Sequence, residues 1–362
     1  MIVYVIMITL VVVFGGMAVQ IPSAIKNTEK TNPKLLKREK TDSVFVWLVF
    51  LCLAFVATFR YGVGTDFFSY YKSENWINRF QEGDYNDPGF TLFSILCSLL
   101  FGNINGAITI GAALLTVFLF VFTISKRTDN FLLSILLFIL TGVFTGMFNG
   151  VRQYLATAIL FAGYHFIIEK KPIKWFLVVL VAATFHITAL LMVFVYFVCN
   201  LNCNWKLVGM YFAVAVILLF AYEPLFNLIG ALKQDEIDTN DEYMTNSVNL
   251  FRVAVQCVPL LLLLFVNTNK INEDKEARFL FNICLLNAAL AVAAMNSAYL
   301  SRFWIYTSCF QVLMYPKIVS KMKAEDRKLF VALLLFFYTL FWAYQILNTD
   351  SLKNFYWIFD YL

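Results

Sequence analysis

Charge is scarce in this chain. Only 14% of its 362 residues are Asp, Glu, Lys or Arg, where an ordinary soluble domain carries about 25%. That deficit excludes a disordered, solvated chain, and it leaves too little polar surface to cover a water-soluble globule. Proline (7) and glycine (15) are also few, which excludes collagen-like and Pro/Gly-rich low-complexity architectures. Histidine occurs twice and cysteine seven times. Cys199 and Cys203 lack the C-x-x-C spacing and both His lie far from them, so neither a metal site nor a disulfide framework is expected. The net charge of +5 is dispersed, with no aromatic-interleaved basic run, so nucleic acid is not an expected partner. What the chain does have is apolar residues: 61% hydrophobic, with 39 Phe. The expected fold class is all-α, a polytopic membrane bundle of about ten to twelve transmembrane or re-entrant helices in one integral domain spanning 1–362.

Apolar runs and positive loops set an expected topology, because Lys and Arg stay on the cytoplasmic side. The first run, about 2–21, lacks a basic start and an A-x-A-like cleavage site, so it reads as a retained helix with its N-terminus outside. The loop with Lys26, Lys30, Lys34, Lys37, Arg38 and Lys40 should be inside, and the next helix, about 43–59, ends outside at Arg60. Residues 60–88 read as an external loop with short helices. Two pieces, about 89–102 and 106–125, lead back to Lys126 and Arg127, the first being short enough to be partial or re-entrant. Runs 131–147 and 154–168 form an out-and-back hairpin. Helices at about 207–222, 249–267, 279–298, 303–316 and 329–347 complete the bundle, with an acidic external loop at 223–248 containing Asp235, Glu236, Asp238, Asp241 and Glu242.

The run 175–201 resists a simple crossing. Its flanks, Lys174 and Asn200–Lys206, both belong inside. A broken, re-entrant pair with His186 near its turn satisfies both constraints, since irregular backbone is tolerated at depth where it lines a cavity. One long tilted helix is the alternative.

Ionisable groups in or beside membrane spans cost at least ~2.5–3.5 kcal/mol on insertion scales, so those present usually have partners or work. Arg60 and Asp66 flank a turn with Gly62 and Gly64; a local ion pair fixing that turn is the plain reading. Asn149, Arg152 and Gln153 have helical i, i+3, i+4 spacing, and Arg suits bidentate phosphate binding, with snorkelling to lipid headgroups as the alternative. His186 sits among small residues in an otherwise un-ionisable run and suits general-base work near neutral pH. His165, near the cytoplasmic end of its helix, reads as structural. Arg302, with Tyr299 and Tyr306 a turn to either side, suits the same anion or an interfacial anchor. By the charge rule, Arg60, Asp66, Arg152, His186 and Arg302 all fall toward the external side, and that convergence describes an anion site with a base beside it.

Four segments carry a resemblance: G-T-D-x-x-x-Y (Gly64, Thr65, Asp66, Tyr70), F-N-G-V-R-Q-Y-L-A (Phe148 to Ala156), A-x-x-F-H-x-T-A-L (Ala182 to Leu190) and the late Arg302. In this order, across roughly 40–320, they resemble the EpsG-like branch of the Wzy polysaccharide repeat-unit polymerases. The resemblance implies a bacterial cytoplasmic-membrane enzyme of the metal-independent GT-C type, without cofactor, with its active site facing outside. It would join oligosaccharide units carried on undecaprenyl pyrophosphate, for O-antigen, capsule or exopolysaccharide. The implied partners are the lipid-linked donor and acceptor, membrane lipids and a chain-length regulator. The implied roles give Arg152 and Arg302 the donor pyrophosphate, with Arg60, Asn149, Gln153 and Tyr299 assisting. His186 would orient or deprotonate the acceptor hydroxyl, with Asp66 as the rival base. Absence of a D-x-D pair from the external loops agrees with an arginine-based site.

Two other classes fit an intramembrane His with arginines. A membrane O-acyltransferase would incorporate acetate into the glycan. A lipid-oligosaccharide flippase would need polar residues through the full membrane depth, which the largely apolar spans between 207 and 298 disfavour.

Overall fold

The computed structural model describes residues 1–26, 43–72, 87–102, 104–233 and 248–360. Each expected apolar run is present as helix, several in two pieces. In a hydrocarbon environment every backbone N–H and C=O must be satisfied internally, which leaves the helix as the default for such sequences. The main helices are α1 (Ile2–Lys26), α2 (Ser43–Thr58), a short α3 (Phe67–Tyr71), α4 (Pro88–Phe101), α5 (Ala107–Arg127), α6 (Phe131–Leu140), α7 (Val151–Gly163) and α8 (Pro172–Phe185). They continue with α9 (Trp205–Lys233), α10 (Leu250–Gln256), α11 (Val258–Leu262), α12 (Lys275–Ala293), α13 (Gln311–Lys321) and α14 (Ala324–Leu347). The helix expected at 207–222 therefore runs on to Lys233. The acidic residues Asp235, Glu236, Asp238, Asp241 and Glu242 lie outside the described residues, as do Lys30, Lys34, Lys37, Arg38, Lys40 and positions 73–86.

By length and composition, α5, α12 and α14 are each long and apolar enough to cross a membrane. Helix α14 shows how such a segment divides its surface. Leu334, Tyr338, Phe341 and Trp342 pack inward, while Leu333, Phe336, Phe337 and Leu340 stay exposed. An apolar stripe of that extent on the outside of a folded protein fits contact with lipid rather than water. Helices α4 and α8, each of 14 residues, extend only about 21 Å at 1.5 Å per residue, short of a ~30 Å hydrocarbon core.

The run 175–201 is broken, as the re-entrant expectation had it, and is not one long tilted helix. Helix α8 ends at Phe185, His186 is extended, and a 3-10 segment follows over Ile187–Val193. The two limbs fold back on each other. The ring of Phe176 lies 5.8 Å from Tyr196 and 6.3 Å from Phe197, so partners about equally far from residue 186 meet and His186 marks the apex. A second break follows α6, where Thr141 and Gly142 separate it from a helical turn at Val143–Gly146.

Polar groups gather at two ends of the bundle. At one end Lys317 reaches Asp129 (3.4 Å), Asp274 (3.6 Å) and Glu276 (3.4 Å), and Tyr164 donates to Glu276. Asn272 and Cys203 exchange backbone–amide bonds at this end. At the other end the chain after α2 pairs with the C-terminal segment, Arg60 opposite Trp357 and Tyr61 opposite Tyr356, antiparallel. The apex carrying His186, the turn before α7 and the turn containing Arg302 share this second end.

Candidate functional site

The site is assembled by four segments that touch in pairs through small residues. Gly64 has φ +96° and lies against the Phe148 carbonyl, where a Cβ would collide with backbone. That close approach lets the Thr65 N–H donate to Asn149 Oδ1 at 3.0 Å. Asp66 then accepts from the Val151 backbone N–H at the start of α7, where unsatisfied amides favour a carboxylate. Gly89, in the first turn of α4, sits against Thr184 in the same way. It brings Asp87 beside the His186 apex.

These contacts open onto one cavity of about 1160 Å³. Asp66, Asn149, Arg152, Gln153, His186 and Arg302 all line it. Asn149 precedes α7 rather than lying on its face, with Gly150 at the N-cap, so the expected one-face helical arrangement holds only for Arg152 and Gln153 in the first turn. Gln153 Nε2 donates to the Arg302 carbonyl at 2.6 Å and its side chain also bonds Tyr306. The Tyr306 hydroxyl lies 2.8 Å from Thr188 Oγ1. The arginine turn, the α7 terminus and the histidine hairpin are thereby bonded to one another.

Arg60 is placed elsewhere. It is 2% exposed, absent from the cavity lining, and donates to the Val63 and Ala57 carbonyls. Its guanidinium lies over the Phe148 ring, 4.4 Å from the centroid. Tyr299 is in the helical turn Ala298–Ser301, but its side chain is outside the described residues.

One residue that sequence reasoning passed over is central. Asp87 bonds Arg152 Nη1 at 2.5 Å and lies 3.9 Å from His186 Nδ1. Its other oxygen accepts from the Ile187 N–H at 3.3 Å. Tyr70 accepts from Arg152 Nε at 2.9 Å, so the guanidinium is held on two edges. His186 Nδ1 is buried without a hydrogen-bond partner, and the residue lines the cavity. Asp-Pro at a helix start is a recognisable capping signal, yet Asp87 makes no side-chain cap bond. Its φ of +54°, costly for a non-glycine residue by ~1–2 kcal/mol, turns the carboxylate to Arg152 instead. Arg252, which also lines the cavity, was passed over within an apolar run.

Burial pushes the Asp66 carboxyl above its ordinary value, against the lowering effect of the Val151 N–H, Arg302, the Thr65 hydroxyl and Arg152. The cavity thus combines fixed cations, a positioned imidazole and a partly desolvated carboxylate. Such a set can hold an oxyanion and accept a proton from a neighbouring hydroxyl.

Comparison with known sequences gives one result: the EpsG family matches residues 43–359. No curated protein matches, and no solved structure matches.

Proposed function

The chain belongs to the EpsG family, a Wzy-like polysaccharide polymerase family, and from that premise we propose that it polymerises lipid-linked oligosaccharide repeat units. The donor is a growing glycan on undecaprenyl pyrophosphate, and the acceptor is a hydroxyl on the next undecaprenyl-pyrophosphate-linked unit. The reaction takes place at the outer leaflet of a bacterial cytoplasmic membrane, for O-antigen, capsule or exopolysaccharide. This reading groups the chain with metal-independent GT-C-type glycosyltransferases and leaves room for a chain-length-regulating partner.

The bond made joins the acceptor oxygen to the anomeric carbon, and the bond broken is between that carbon and the pyrophosphate. Arg152 and Arg302 hold the departing pyrophosphate, whose negative charge grows as the bond stretches; stabilising that developing charge is worth more than ground-state binding. His186 Nε2 takes the acceptor proton, while Asp87 orients the ring from the Nδ1 side and fixes Arg152. Asp66 holds the α7 terminus and takes part in acceptor binding. Asn149 and Gln153 fix the turns on either side. Arg60 supports the turn from beneath, by burial and cation–π contact.

The observation that carries this reading is that Asp66, Arg152, His186 and Arg302, from four separate segments, line one cavity. Purified protein supplied with lipid-linked repeat units tests it: longer lipid-linked chains are expected. Acetate incorporation without elongation would favour acyl transfer instead.

A further inference from the structure

The cavity extends past the three residues assigned to the leaving group and the proton, Arg152, Arg302 and His186. Its wall also carries Arg252 and Gln256 on α10, and Gln345, Thr349 and Trp304 line it too. Arg252 and Gln256 are four residues apart, and so lie on the same helical face.

The orientation of Gln256 is set from behind. Its Oε1 accepts from Asn287 Nδ2 at 2.7 Å and from Gln311 Nε2 at 2.7 Å. Asn287 Oδ1 is in turn occupied by the Thr307 hydroxyl, and Gln311 Oε1 by the Tyr338 hydroxyl, both at 2.8 Å. Every carbonyl in this buried chain is therefore an acceptor already in use. In this arrangement Gln256 Oε1 is occupied by two donors, and the group Gln256 presents to the cavity is its NH2. Among the described residues the Arg252 guanidinium has one hydrogen bond, from Nη2 to Thr349 Oγ1 at 3.4 Å. It is an arginine facing a cavity with no carboxylate partner among the described residues.

We propose that this wall is a subsite for a negatively charged sugar of the glycan, with Arg252 and the Gln256 amide donating to its carboxylate. The inference rests on the polymerase reading for its substrate and goes beyond it in naming an acidic residue in the repeat unit. Among the described residues the wall offers one cation flanked by neutral amides and hydroxyls, which matches a single negative charge. A pyrophosphate, with more charge, is better matched by Arg152 and Arg302. Trp304 adds an aromatic face suited to the apolar face of a sugar ring.

A binding measurement tests this without requiring turnover. The probes are a lipid-free oligosaccharide containing one hexuronate and its carboxyl-reduced counterpart, titrated into the detergent-solubilised full chain. The wild type is expected to prefer the acidic probe by about tenfold or more, as for one charge-assisted contact. Arg252→Gln should erase the preference while leaving affinity for the neutral probe unchanged, Arg252→Lys should restore part of it, and Arg152→Ala should keep it. Unchanged binding of the neutral probe shows that each variant is folded. No preference in the wild type, or one that survives Arg252→Gln, overturns the proposal. So does pyrophosphate displacing the acidic probe from Arg152→Ala, because that would place phosphate on this wall. Elongation assays on the same preparations report separately on the polymerase reading.

Discussion

His186 Nδ1 and Asp87 Oδ2 lie 3.9 Å apart at the apex of a broken helical hairpin. The same oxygen bonds Arg152 at 2.5 Å. One carboxylate therefore bonds the cation of the proposed reaction and lies beside its base. Asp87→Asn keeps the side-chain shape and removes the charge. Its kcat is expected to fall by about one to two orders of magnitude, less than the ~10²–10⁴ expected for the general base itself. Single-turnover rates, with insertion verified by detergent-solubilised yield, check this; wild-type rates would remove Asp87 from the mechanism.

Arg152→Ala and Arg302→Ala should each insert and fold yet leave glycans of single-repeat length. Loss of one charge-stabilising donor typically costs about 10²–10³ in rate. Glycan length profiles from cells carrying each variant provide the measurement. Normal chain lengths from both would contradict the leaving-group role.

The base can be assigned by pH. Burial raises the Asp66 carboxyl, so were Asp66 the base, activity would fall as pH drops through that raised value, and Asp66→Asn would abolish the dependence. The account expects the acid-side limb to survive Asp66→Asn. The same shift has a stability consequence. A carboxyl with a raised folded-state pKa binds its proton more tightly in the fold, so stability falls as pH rises from the ordinary carboxylate value through the raised one. Asp66→Asn should flatten that fall in a Tm-versus-pH series.

Arg60→Ala should act on stability. Each buried carbonyl left without a donor costs about 1–3 kcal/mol, and the ring contact with Phe148 is lost as well. A lower Tm with an unchanged KM in the surviving protein is expected. A raised KM at unchanged Tm would return Arg60 to substrate binding.

Much of this arrangement was legible in the sequence because lipid imposes strict bookkeeping. Apolar run length identified the helices, and basic loops on both flanks of 175–201 pointed to a break with His186 near it, against one long tilted helix. Asp66, Asn149, Arg152, Gln153, His186 and Arg302 stood out as polar groups in an apolar chain. The rest depended on three-dimensional detail that periodicity does not carry. Asp87 reads as a helix cap, and only its left-handed backbone turns it toward Arg152. Arg60 reads as an external cation, but the fold of Val63 and Phe148 around it closes it off. Arg252 lay within a run assigned to a span, and its role appears only when α10 meets the chain after α14 at Thr349.

The most direct measurement is elongation in a purified system: the full chain in detergent or nanodiscs, given undecaprenyl-pyrophosphate-linked repeat units of defined structure. The account predicts a ladder of longer lipid-linked glycans with stoichiometric release of undecaprenyl pyrophosphate, and its loss in Arg152→Ala. A folded wild-type protein that releases no undecaprenyl pyrophosphate and makes no longer chains would contradict it.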